Sequence, residues 1–216
     1  KRFDFGIAFS PTEDSMQMFM QHMPASWVFN GYDESKLAAL VQYQRKALAD
    51  GRKHKHLFVF MDDCMYDKKI LKSTLMRDIF YNGRHLRITL CLAMQYMMDM
   101  SPDLRTQCDY CICTREMIIS NKIKLFRYFF GCFSQFDTFS RVLDCCTHNY
   151  GCLVLDQTIV QADPTACLFW YRAPLHTPAF TVGSDRFLRL ARAHESSPAE
   201  RQVQKQEREL EQQARD

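Results

Sequence analysis

The stretch Leu57-Phe58-Val59-Phe60-Met61-Asp62-Asp63 contains five apolar residues followed directly by two carboxylates. An uninterrupted apolar run of this length is typical of a strand that is buried on both faces of a parallel sheet. Ligands bind to such sheets at the carboxyl ends of the strands, where Asp62 and Asp63 fall. Two interpretations follow. Asp62 holds a magnesium ion and Asp63 activates a water molecule, or both acids favour the N-terminus of a following helix, together with Asp67.

Composition and charge place the chain among ordinary globular proteins. Its 216 residues are 47% apolar and 25% charged, and the formal net charge is +3, which is too small to indicate a nucleic-acid partner by itself. The basic runs 52–56 and 84–87 fit either nucleic-acid contacts or solvated loops. We find no apolar run long enough to span a bilayer and no signal-like leader, so we expect no membrane association.

The ten cysteines lie mostly inside apolar runs, which favours reduced thiols in a cytosolic compartment over a secreted disulfide framework. A structural zinc site is the alternative, because Cys108 and Cys111 have the two-residue spacing of a ligand pair. Its other ligands would come from Cys145, Cys146 and His148. The segment 110–114 is predicted to be a strand and Cys145-Cys146 to end a helix, so these side chains are expected to diverge.

Strand-like and helix-like segments alternate along the chain, which predicts crossover units and a mostly parallel α/β sheet flanked by helices. The pattern predicts strands at 3–9, 27–29, 57–61, 88–94, 110–114, 152–155 and 166–171, and helices at 14–23, 34–50, 67–81, 116–130 and 135–146. The last two strands are expected to close the same sheet. Ser10-Pro11-Thr12-Glu13 has the pattern of a capping box with proline at the first helical position. We expect one domain over 1–183 and a charged helical or disordered tail over 184–216.

An ordered series of short motifs follows the acidic strand. Gln95 ends the next buried strand, where an amide can hydrogen-bond both water and phosphate, although a solvent-facing glutamine is equally compatible with that position. The series comprises 58–65 with its two aspartates, Asn82-Gly83-Arg84-His85, Ala93-Met94-Gln95-Tyr96, and Pro102-Asp103-Leu104-Arg105 with Asp109-Tyr110. Over residues 1–175 it resembles the genome-packaging ATPases of nucleocytoplasmic large DNA viruses, which include the poxvirus type and belong to the FtsK/HerA-like class of P-loop motors.

This resemblance implies a P-loop NTPase fold and an ATP-driven motor that moves double-stranded viral DNA into a capsid. It implies ATP and Mg²⁺ as cofactors, with Asp62 bound to Mg²⁺ through water, Asp63 as the catalytic base and Gln95 as the γ-phosphate sensor. Arg84, Arg105 and Arg115 become candidates for phosphate contacts, within the subunit or from its neighbour. The expected partners are DNA, capsid or portal components and further copies in a ring. The expected location is the viral factory in the host cytoplasm, or the virion.

The sequence departs from this family at one point. None of its seven glycines precedes a Gly-Lys pair, so it lacks the phosphate-binding loop of the Walker A type, whose backbone N–H groups and lysine hold the phosphates. We expect a fragment whose first strand, phosphate loop and first helix precede Lys1, rather than a degenerate paralogue. The alternatives are a cellular-type FtsK/HerA translocase and a catalytically inactive subunit that binds DNA or the capsid.

Overall fold

The computed structural model describes residues 3–51, 55–159 and 164–195, and these form two compact units. The described parts of Lys1–Asp67, Asn82–Met94 and Phe180–Asp216 make up the first unit, and those of Lys68–Tyr81 and Gln95–Ala179 the second.

A four-stranded parallel sheet forms the centre of the first unit, as the sequence predicts. Its order is β2-β1-β3-β4, with β1 at Phe5–Ser10, β2 at Val28–Asn30, β3 at Leu57–Asp62 and β4 at Ile88–Ala93. All six residues of β1 are buried. On β3 the fully buried side chains of Leu57, Val59 and Met61 alternate with half-buried ones, because successive strand residues point to opposite faces. Both faces of the sheet are therefore covered at its centre.

The described part of this unit contains the helices α1 at Glu13–Met20, α2 at Glu34–Ala49 and α7 at Asp185–Ala193. The Asp33 side chain accepts a hydrogen bond from the N–H of Lys36 at 3.2 Å and caps α2, which satisfies one of the unpaired N–H groups of its first turn. The fully buried Gln44 donates its Nε2 to the carbonyls of Lys55 at 2.6 Å and Leu86 at 2.9 Å. Gln44 thus fixes α2 to the backbone that precedes β3 and β4.

Helix α7 packs in the first unit although its sequence falls in the predicted tail. Phe187 meets the ring of Trp27 at a centroid distance of 4.9 Å, and Leu188 and Ala191 are buried. The N–H of Ser184 donates to the carbonyl of Asp4 at 2.7 Å. The segment Asp185–Ala193 is therefore a packed helix, and the rest of the predicted tail, residues 196–216, lies outside the described residues.

The second unit combines helices with a separate antiparallel sheet. Its helices are α3 at Thr74–Asn82, whose last residue falls in the first unit, α4 at Pro102–Arg105, α5 at Ile119–Tyr128 and α6 at Phe136–Cys146. Its strands are β5 at Tyr110–Cys113, β6 at Gly151–Asp156 and β7 at Leu168–Arg172, in the order β5-β6-β7. Phe130, Phe139 and Leu143 are fully buried in its core, beside Leu153 of β6. Between α5 and α6, the buried Lys122 bonds both carboxylate oxygens of Asp144, at 2.6 and 2.7 Å.

Three local predictions are wrong. The last two strands do not close the parallel sheet, because β6 pairs antiparallel with both β5 and β7. The helix predicted at 67–81 begins at Thr74, since Ser73 is extended at ψ 148° and its Oγ accepts the N–H of Met76 at 3.2 Å. The predicted capping box does not form either, because α1 has Thr12 at its N-cap with no side-chain cap. Ser10 instead ends β1.

The helices of the described ranges are all too short or too polar to traverse a lipid bilayer.

Candidate functional site

Asp62 is the last residue of β3, at the carboxyl edge of the parallel sheet. It pairs in register with Ala93, the last residue of β4, and it is half-buried. The Oγ of Ser10, which ends β1, donates to Asp62 Oδ2 at 3.2 Å. The carboxylate therefore lies where neighbouring strands end together, which is the ligand-binding edge of an open α/β sheet.

Asp63 turns the chain at this edge. Its φ of 47° and ψ of 23° are left-handed, and it stands at the N-cap position of a short 3₁₀ turn over Cys64–Tyr66. The N–H of Asp63 donates to the carbonyl of Ala93 at 3.2 Å. Aspartate adopts this conformation more readily than most residues, at a cost in backbone energy. The hydrogen bond keeps Asp63 next to the end of β4, so two carboxylates follow one another at the strand end.

Cys64 lies directly behind the two aspartates and is fully buried. Its Sγ lies 3.4 Å from the carbonyl oxygen of Phe9 and 3.3 Å from that of Asp62. Burial, together with the negative charges of Asp62 and Asp63, raises the pKa of the thiol to about 11. The thiol is therefore neutral at physiological pH, and it serves as packing and as a weak donor to the backbone.

Gln95 follows β4 by two residues, after Ala93 has paired with Asp62. It is exposed and belongs by its contacts to the second unit. Gln95 therefore follows in sequence the strand that pairs with the acidic strand. The contact between Gln95 and a phosphate group stays a prediction.

The three candidate arginines lie in different places. Arg84 is exposed in the turn that precedes β4, so it lies at the amino edge of the sheet, a strand length of about 20 Å from Asp62. Arg105 packs over the ring of Tyr128 at 4.6 Å, and its Nε donates to the carbonyl of Met100 at 2.9 Å. Arg115 is exposed just after β5. The structure does not bring Arg84 to the aspartates, so a phosphate contact from this residue would have to act on a neighbouring subunit.

The donor set at the carboxyl edge fits a hydrated magnesium ion. Mg²⁺ prefers oxygen ligands, keeps several waters and is commonly held by one or two carboxylates, which Asp62 and Asp63 can supply. The sequence has no Gly-Lys phosphate loop, the element that usually binds the triphosphate. The described ranges contain no cluster of three or more cysteine, histidine or acidic ligands, and the ten cysteines, all of them described, form no disulfide bond.

Two residues of this site have no predicted functional role from the sequence. Ser10 and Cys64 contact Asp62 directly, yet Ser10 was interpreted as a helix cap. A sequence signal for Ser10 does exist. Ser10 is a polar residue directly after the apolar run Phe5-Gly6-Ile7-Ala8-Phe9, just as Asp62 directly follows the apolar run of β3.

Sequence comparison finds relatives among large DNA viruses. An uncharacterized protein of Invertebrate iridescent virus 3 is 27% identical over 179 residues, which are 82% of this chain and 68% of that protein. An uncharacterized protein of Frog virus 3 is 28% identical over 169 residues, or 78% of this chain and 52% of that protein. The chain thus spans about half to two thirds of the length of these relatives. No protein-family model matches it.

Structure comparison finds a viral genome-packaging NTPase. The protein B204 of Sulfolobus turreted icosahedral virus 2 in complex with AMPPCP aligns with a TM-score of 0.52 and 14% identity, covering 80% of this chain and 84% of that one. Its complex with ATP-gammaS gives a TM-score of 0.53 over 80% and 83% of the two chains, again at 14% identity. The chain therefore has an α/β fold similar to that of this packaging NTPase.

Proposed function

We propose that this chain is part of an ATP-hydrolysing motor that translocates double-stranded viral DNA into the capsid. The observation that supports it most directly is the pair of carboxylates, Asp62 and Asp63, at the end of β3 and beside the end of β4. This is the ligand edge of a sheet whose fold resembles that of a packaging NTPase.

Each candidate residue has a distinct role in the proposed reaction. Asp62 binds the water shell of Mg²⁺, the ion that neutralises charge on the terminal phosphates in such enzymes. Asp63 takes a proton from the attacking water, and Gln95 orients that water or the terminal phosphate. Arg105 and Arg115 are candidates for phosphate contacts, and Arg84 is a candidate for a contact with the neighbouring subunit in a ring.

The phosphate-binding loop must come from outside these 216 residues in this proposal. Among the described residues, β4 pairs with β3 alone, so its other edge offers unpaired N–H and C=O groups to a further strand. The proposal therefore concerns a protein longer than this chain, in agreement with the greater length of its relatives. The partners are double-stranded DNA, capsid or portal components and further copies of the protein, in the viral factory or the virion.

A catalytically inactive subunit that binds DNA or the capsid is the second candidate. The absence of a Gly-Lys phosphate loop from the sequence favours it. A cellular-type FtsK/HerA translocase is less favoured, because the relatives found are viral proteins.

ATP turnover by the full-length gene product, measured with and without double-stranded DNA, separates the motor from the inactive subunit. We expect Mg²⁺-dependent hydrolysis that DNA stimulates. Asp63→Asn should lower turnover by at least about 100-fold, the scale of a lost general base, with nucleotide affinity unchanged. Asp14→Asn, an exposed aspartate on α1, is the matched control and should match the wild type.

Two results would contradict the motor. Full-length protein that binds DNA but hydrolyses no ATP would establish the inactive subunit. Wild-type turnover in Asp63→Asn would remove the proposed base from the reaction.

A further inference from the structure

A buried hydroxyl group lies against the proposed magnesium carboxylate. Ser10 is fully buried at the end of β1, the strand that pairs with β3 on the side away from β4. Its Oγ lies 3.2 Å from Asp62 Oδ2, 3.3 Å from the hydroxyl of Thr12 and 3.4 Å from the N–H of Thr12. The three residues form one connected group at the carboxyl edge.

The hydrogen-bond inventory of a serine fixes the direction of these bonds. A hydroxyl group has one hydrogen to donate and two lone pairs that accept. The N–H of Thr12 can only donate, so it occupies one lone pair of Ser10. A carboxylate can only accept, so the single hydrogen of Ser10 goes to Asp62. The hydroxyl of Thr12 then donates to the remaining lone pair, and every bonding position of Ser10 Oγ is filled.

We propose that Ser10 is a positioning residue for Mg²⁺ binding, because its hydroxyl holds one oxygen of Asp62 and thereby directs the other toward the water shell of the ion. This inference rests on the proposed function. Within the described residues, Asp62 Oδ1 makes no hydrogen bond to the protein and is not among the buried polar atoms that lack a partner, so this oxygen is available to solvent.

The demands of the metal explain why such a contact matters. Mg²⁺ requires near-ideal octahedral geometry and gives up its waters reluctantly. A carboxylate that binds through such a water must present its oxygen in one direction. Mutation of a residue that holds a metal ligand in place typically lowers metal affinity 10- to 100-fold. Loss of the Ser10 hydroxyl should therefore raise the Mg²⁺ concentration needed for half-maximal hydrolysis, while the affinity for the nucleotide itself should stay the same.

The surrounding fold does not depend on this hydroxyl. The backbone of Ser10 pairs with β2, and its carbonyl accepts the N–H of Gly31 at 2.9 Å. Helix α1 begins at Glu13 with no side-chain cap, so removal of the Ser10 hydroxyl takes no cap from it. Ser10→Ala is thus expected to keep the fold.

The test is a Mg²⁺ titration of ATP hydrolysis by the full-length gene product at fixed ATP. Ser10→Ala should raise the Mg²⁺ concentration for half-maximal rate about 10-fold or more, while its affinity for ATP in EDTA and its melting temperature stay close to wild type. Ser10→Thr keeps the hydroxyl and should restore the wild-type Mg²⁺ requirement. The control is Ser35→Ala, which removes another serine–aspartate bond, from Ser35 Oγ to Asp33 at 2.6 Å, at the exposed start of α2. It should leave the Mg²⁺ requirement unchanged.

The outcomes separate this inference from the function on which it rests. Absence of Mg²⁺-dependent turnover in the wild type would overturn both. Normal turnover with the same Mg²⁺ requirement in Ser10→Ala would overturn the role of Ser10 alone. If Ser10→Ala does not fold, Ser10→Cys preserves the volume with a weaker donor. A raised Mg²⁺ requirement in that variant supports the role, and a wild-type requirement overturns it.

Discussion

At the scale of single residues, the two adjacent aspartates occupy different environments. Asp62 ends a strand and is held by a buried hydroxyl, whereas Asp63 is left-handed and begins a 3₁₀ turn. Side chains of successive residues in an extended strand point to opposite faces, but the left-handed backbone ends that alternation at Asp63. The change of backbone conformation is therefore part of how the site presents two carboxylates at one edge.

The left-handed conformation of Asp63 predicts an unusual order of stability. Asp63→Gly and Asp63→Ala both remove the carboxylate, so the difference between them isolates the backbone. Glycine adopts positive φ without the penalty of a Cβ atom, and Asp63→Gly should be more stable than Asp63→Ala by about 1 kcal/mol. Urea denaturation of the two variants measures this difference. An alanine variant as stable as the glycine variant would show that Asp63 is not left-handed in solution.

At the scale of elements, the sequence predicts the helices and strands that a local pattern marks. It does not predict which strands pair when they are far apart in sequence. The buried strands β3 and β4 and the capped helix α2 were found nearly to the residue, because apolar runs and cap residues mark them. The predicted start at 67 precedes the observed start of α3 at Thr74, because apolar periodicity does not mark the N-cap at Ser73. The capping box predicted at Ser10 is wrong because Ser10 bonds Asp62 instead. That contact depends on the pairing of β1 with β3, which are far apart in sequence.

The cap of α3 gives a prediction about helix stability. Ser73 Oγ accepts the N–H of Met76, one of the unpaired donors in the first turn of the helix. Ser73→Ala should therefore lower the free energy of unfolding by about 1 kcal/mol. Ser73→Asp should keep most of this contribution, because aspartate is also a good N-cap residue. Urea denaturation monitored by circular dichroism measures both, with Ser15→Ala inside α1 as a comparison. Equal stability of Ser73→Ala and the wild type would mean that this cap does not contribute.

At the scale of the whole molecule, the α/β class and the parallel sheet were predictable, but the division into two units was not. Strand periodicity indicates that a segment is extended and does not indicate which strand it joins. The strands β5, β6 and β7 pair among themselves, so the single domain expected over 1–183 contains two separate sheets. Strand pairing was likewise needed to bring Ser10 to Asp62, and no property of the sequence near either residue specifies that contact.

The distribution of thiols through the fold predicts their order of reaction. Burial raises the pKa of Cys64 to about 11 and that of Cys113 to about 12, and it raises the pKa of Cys111 as well. Alkylation requires the thiolate, so these three should stay protonated and protected at pH 8, while the exposed Cys145 reacts first with iodoacetamide. Mass spectrometry of peptides from native protein, compared with protein in guanidinium, gives the order. Equal rates for Cys145 and Cys111 in native protein would contradict the described core.

In the proposed function, the carboxyl edge at Asp62 and Asp63 binds a metal–nucleotide complex. The most direct measurement is anomalous diffraction from Mn²⁺, in place of Mg²⁺, in crystals of the full-length gene product with a non-hydrolysable ATP analogue. We predict a manganese peak about 4 Å from the carboxylate of Asp62, the distance of a contact through one metal-bound water. A metal and nucleotide bound away from β3, with Asp62 and Asp63 turned from both, would contradict the claim.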